Sequence, residues 1–152
     1  MRAQSANPTE GEKAMLNVLR PLSIVAAATL VLVVVSGLLD LGAFGVASVV
    51  GTVGLSVVLS VVAFAVLAVV TFAVCLPLGI EAPGVMLHTV FGIIAGSVTL
   101  GLFGMIWPNL VMLGFVSAIP YAAVNTVLIW GLGYGTGSTR RDLPLMPVFR
   151  RK

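Results

Sequence analysis

From Pro21 to Thr139 the chain carries no lysine and no arginine, and its only carboxylates there are Asp40 and Glu81. The whole chain has one histidine, His88, and one cysteine, Cys75. Each shortage removes a class of protein. A soluble domain covers its surface with charge, roughly a quarter of its residues, whereas 9% of this chain is charged. A lone cysteine excludes an intrachain disulfide and a CxxC motif. A lone histidine excludes a haem held by two imidazoles of one chain, and Cys75, His88 and distant carboxylates leave a zinc site short of donors. There is no nucleophile–base pair, no paired carboxylates and no phosphate loop. The sequence therefore reads as non-enzymatic, without cofactor, metal or an identifiable small-molecule substrate.

What is present is apolar. Hydrophobic residues make up 59% of the chain and the mean hydropathy is +1.17, against an apolar share of roughly 45–50% in soluble proteins. The 17 glycines suit closely packed membrane helices. All basic residues lie at the ends: Arg2, Lys13 and Arg20 before the uncharged interval, and Arg140, Arg141, Arg150, Arg151 and Lys152 after it. This pattern predicts an all-α integral membrane protein, a four-transmembrane-helix bundle with both termini cytoplasmic. The expected location is a plasma or inner membrane, or the membrane of a membrane-bearing virion.

Residues 1–21 form a polar tail. Thr9 and Glu12 fit a T-x-x-E capping box, which predicts a short helix from about Glu10 to Leu19, lying in the interface with Met15, Leu16, Val18 and Leu19 toward lipid; a solvated tail is the alternative. Pro21 closes this segment. The expected spans are 22–39, 50–75, 85–106 and 110–132, and 135–152 is a basic C-terminal tail. The first apolar run exceeds the 7–15 or so residues of a signal-peptide core and no small-x-small site follows it, so it reads as a retained helix. The second span has the least definite start, because no charge or polar turn divides Leu41 from Ile80. Pro77, Gly79, Pro83 and Gly84 stop it. Trp107, Pro108 and Asn109 make the next turn, Pro120 interrupts the fourth span, and Trp130 and Tyr134 sit at its far end as an interfacial belt. Four spans return the chain to the side on which it started.

Helices in lipid gain nothing by burying leucine against leucine, so small and polar residues mark their contacts. Gly92 and Gly96 form a GxxxG on the third span, sharing a face with His88 and Thr99. Ser56 and Ser60 mark the second span, and Ala118, Ala122 and Asn125 the fourth. Asn125 reads as an interhelical hydrogen-bonding residue; with His88 and Thr99 it also forms the one candidate polar path. Asp40 and Glu81 read as wetted loop carboxylates. Pro144 and Pro147 forbid a regular helix in the tail, so Arg140, Arg141, Arg150, Arg151 and Lys152 are expected on anionic headgroups of the inner leaflet. Nucleic acid is not an expected partner; a homo-oligomer or a larger membrane complex is.

These features predict a structural or accessory membrane component, a subunit of a larger assembly or of an envelope. Small size, uncharged spans and a basic C-terminal tail also resemble the holins in outline, without a shared motif, which would imply membrane permeabilisation. A small oligomeric transporter or channel, using the polar path, is the third expectation.

Overall fold

The computed structural model describes residues 10–46, 48–139 and 143–150, with Glu10 and Glu12 described by their backbone only. Helix α1 spans Glu10–Leu38, α2 Val49–Leu78, α3 Gly84–Ile106 and α4 Ala118–Gly135; two short strands, β1 at Ile80–Ala82 and β2 at Val148–Phe149, complete the elements. Three helices, α1 to α3, are long and apolar enough to cross a membrane. α4 has 18 residues, roughly 27 Å of helix, a little under a hydrocarbon core of about 30 Å. Each helix packs on the next and α4 returns to α1, which closes a ring of four.

Local chemistry sets the helix ends. The Ser48 hydroxyl accepts from the Gly51 amide at 3.1 Å and starts α2. Gly79, left-handed at φ 63°, ends it by returning its amide to the Cys75 and Leu76 carbonyls. α1 ends in the same manner with Asp40 at φ 51°, the Leu41 amide reaching the Ser36 carbonyl at 3.0 Å.

Two elements differ from the sequence expectation. The helix expected at about 10–19 and the span at 22–39 form one helix, α1, which runs through Pro21. Proline removes one backbone donor and leaves the Asn17 carbonyl without it, and Asn17 and Pro21 both border a cavity rather than packed hydrocarbon. The capping box lies outside the described residues, since it needs Thr9 and the Glu12 side chain. Met15, Leu16, Val18 and Leu19 are exposed. The span expected at 110–132 is helical only from Ala118. Residues 107–117 turn and then run back along α3 in non-helical conformation. They fit because α3 offers glycine: a Cβ on Gly104 would strike the Leu113 carbonyl, and one on Gly101 would strike the Phe115 ring. Pro120 falls in the first turn of α4, where a missing amide matters little.

The two ends of the ring are built differently. At the α1–α2 and α3–α4 turns, the Gly45 amide donates to the Leu110 carbonyl at 3.1 Å and the Met112 amide to the Ala43 carbonyl at 2.9 Å. This antiparallel bridge, Phe44 opposite Val111, supplies the hydrogen bonds that non-helical backbone needs away from water. Ala43, Val111 and Leu113 are then buried with Leu55, Leu59, Leu100, Phe103 and Ala118 in one solid core. At the other end β1 pairs antiparallel with β2, and the tail serves as the N-cap of α3: the Val85 and Met86 amides donate to the Pro144 and Leu145 carbonyls at 2.9 and 3.3 Å.

Candidate functional site: a one-ended cavity inside the helix ring

The main buried cluster sits at the turn end of the ring. At the end that carries the described chain ends lies a cavity of about 740 Å³, within the range of small-molecule sites. All four helices wall it: Ile24 from α1, Phe64 and Leu67 from α2, His88 from α3, and Ile129 and Trp130 from α4. Arg20 and Ser138 also border it, and they join the start of α1 to the chain beyond α4, Arg20 Nε donating to Ser138 Oγ at 2.8 Å. On α1 the lining runs from Asn17 to Val25, about two helical turns, and on the other side it runs from Thr126 on α4 to Ser138 and Thr139 beyond its end. Pro83 and Pro144 bring the α2–α3 connection and the tail into the same wall.

His88 stands edge-on to Trp130, ring centroids 5.9 Å apart. Trp130 is fixed twice over: its indole nitrogen donates to Thr89 Oγ1 at 3.0 Å, and its ring stacks on Tyr134 with centroids 5.6 Å apart. Trp107 lies at the opposite end of the ring, against Phe103 at 5.1 Å. The two tryptophans thus mark the two ends of the apolar body, where indoles favour headgroup level.

The other sequence-selected residues fall into separate places. Gly92 faces Thr126, and Gly96 faces Ala122 so closely that an added Cβ would lie 2.9 Å from the alanine methyl. Ala118 and Ala122 are buried. Ser56 and Ser60 are buried on α2 and return their hydroxyls to the Thr52 and Ser56 carbonyls. Thr99 does the same to Ala95. Asn125 Nδ2 donates to Thr29 Oγ1 on α1 at 3.3 Å, while Asn125 Oδ1 and Ser97 Oγ are buried without a hydrogen-bond partner among the described residues.

The three residues of the candidate polar path are therefore not brought together. His88 borders the cavity; Asn125 points to α1; Thr99 lies roughly 16 Å along α3 from His88, in the packed half. Among the described residues no three His, Cys, Asp or Glu side chains converge as a metal site requires. In the tail, Arg150 lies 3.6 Å from Glu81, both exposed; Arg140, Arg141, Arg151 and Lys152 lie outside the described residues.

Ser138 and Thr139 were not singled out by sequence and Arg20 was read only as one of the terminal charges, yet all three border the cavity. The available signals were an arginine set directly before the first apolar run and a Gly-Ser-Thr hydroxyl pair directly after the last one. Comparison with protein-family models, characterised proteins and solved structures gave no match to this chain.

Proposed function

We propose that this protein is a small multi-pass membrane component without a reaction of its own, a structural or accessory subunit of a membrane assembly or of a cellular or viral envelope. Its four helices cross the bilayer with both termini on the cytoplasmic face, and the basic tail segments lie against anionic headgroups. The observation that carries this reading is the character of α2. It is the most apolar of the three long helices and the least covered by its own fold, with Val69, Phe72 and Leu76 open on its outside. In water such a helix has no stable place; lipid or a second apolar helix accommodates it. The connections leave little beyond the bilayer, because the turns are stitched to each other at one end and the tail to the α2–α3 connection at the other.

The test is purification of the tagged full chain in mild detergent after crosslinking in its own membrane. A stable homo-oligomer or a fixed companion protein is expected, with the crosslinks on α2. A monodisperse monomer without crosslinks would contradict the proposal. The holin-like alternative makes a separate demand: expression would collapse the membrane potential at a threshold, and growth with intact potential excludes it. The transporter alternative draws on the cavity beside His88 and on Asn125, which does not line it; it would require that alanine at His88 and Asn125 abolish flux.

A further inference from the structure

We propose that the cavity is a binding site for an anionic amphiphile, a molecule with an apolar body and a carboxylate or phosphate head. Volume, wall chemistry and charge point to it together.

The deep walls are hydrocarbon. Ile24, Phe64, Leu67 and Ile129 come from three different helices and face one space. Side chains of this kind gain dispersion contacts from any apolar group that packs against them. An apolar chain fills it without asking the protein for hydrogen bonds.

Arg20, Ser138 and Thr139 come together at the mouth, while His88 and Thr126 line the wall further along the helices. Among the described residues Arg20 is the only formally charged one that borders the cavity, and none of them brings a carboxylate to it. Its Nε is held by Ser138 Oγ at 2.8 Å, which orients the guanidinium. The paired terminal NH₂ groups, which match a carboxylate or phosphate in planar geometry, are not used in that bond. Ser138 and Thr139 add hydroxyls, and the His88 imidazole lies deeper beside Trp130. A cationic head is repelled there, and a neutral head gains ordinary hydrogen bonds without the charge-assisted ones an anion makes. An anion at the mouth and a chain inside satisfy both halves at once.

Lipid headgroups and free fatty acids share this chemistry, and Trp130 in the wall distinguishes them. The chain has two tryptophans, so Trp107→Phe leaves Trp130 as the sole indole reporter. The full chain carrying that change is placed in bilayers of zwitterionic lipid, and its fluorescence is followed as bromine-labelled ligands are added. One series uses a phospholipid with an anionic phosphate headgroup, one a fatty acid, and one a zwitterionic phospholipid as the control. The expected result is saturable quenching at a low mole fraction by one of the anionic ligands, which names the source, and only the shallow linear quenching of surrounding lipid by the control. Arg20→Gln is expected to weaken the saturable component at least about tenfold, equivalent to about 1.4 kcal/mol, and Arg20→Lys to retain part of it. Ile24→Phe with Leu67→Phe, which leaves Arg20 in place, is expected to remove saturation by filling the chain site, so the test does not hang on one variant. Equal quenching by anionic and zwitterionic ligands, or saturation that survives both Arg20→Gln and the filled cavity, would overturn the proposal.

Discussion

Asn125 Nδ2 donates to Thr29 Oγ1 at 3.3 Å, and the Thr29 hydroxyl in turn donates to the Val25 carbonyl at 2.8 Å. The bond ties α4 to α1, the pair that closes the ring and has no short loop between them. Polar bonds between membrane helices average about 0.6 kcal/mol and reach about 1.7. A double-mutant cycle with Thr29→Val and Asn125→Leu, read by thermal unfolding in detergent, should give a coupling of about that size. Purely additive effects would show that the two side chains do not hold each other in the membrane.

The α3–α4 seam is tighter. A side chain at Gly96 meets Ala122, and interiors packed to this density do not absorb added atoms without shifting. Gly96→Val is expected to lower stability by about 1–3 kcal/mol, and Ala122→Gly in the same chain to recover part of the loss. Gly101→Val is expected to do more harm, since Phe115 lies directly over Gly101. A chain that tolerates both changes at its original unfolding temperature would refute this packing.

Gly84 couples the tail to α3. It sits at φ +66°, and an added Cβ would lie 2.6 Å from the Met146 carbonyl oxygen. Gly84→Ala therefore combines a left-handed penalty of about 1–2 kcal/mol with eviction of the tail. Hydrogen exchange reads it directly: the Val85 and Met86 amides, protected by Pro144 and Leu145, should exchange faster in the variant while amides in the middle of α3 stay protected. Unchanged rates at Val85 and Met86 would contradict the capping.

The Glu81–Arg150 pair is a weaker link. Both side chains are largely exposed, and exposed ion pairs contribute about 0–1 kcal/mol. Glu81→Gln should leave the unfolding midpoint nearly unchanged, because the β1–β2 pairing and the Gly79 carbonyl–Arg150 amide bond at 2.9 Å persist without it. A large drop would mean that the pair acts in a less wetted setting than its exposure indicates.

Much of the architecture was legible because lipid imposes a one-dimensional rule. Long uncharged runs announce α1, α2 and α3, and Pro-Gly clusters announce the stop after α2. Gly92, Gly96 and Ala122 were legible as small residues one or more turns apart, which is the pattern close helix packing leaves. The turn at 107–109 was legible, but the non-helical run 110–117 was not, since Leu110, Val111, Met112 and Leu113 are as apolar as a helix in lipid. Their non-helical path depends on seats that Gly101 and Gly104 provide from another element. Pro21 misled in the other direction: it marks a helix boundary only when the lost bond has no accommodating surroundings. The cavity was illegible for a general reason. Its walls come from all four helices and the tail, and nothing in the local sequence around Arg20 or Ser138 states that they meet.

The central claim is that the uncharged interval crosses the bilayer an even number of times, with both basic ends on one face. Single cysteines in a Cys75→Ser background test it most directly: Lys13→Cys at the start of α1, Asn109→Cys in the turn after α3, and Leu145→Cys in the tail, each probed with a membrane-impermeant thiol reagent in intact expressing cells and in sealed inverted vesicles of the same membrane. Modification of positions 13 and 145 from the cytoplasmic face, with 109 modified only from the opposite face, is the expected result. Labelling of 13 and 145 from opposite faces would contradict the four-span bundle.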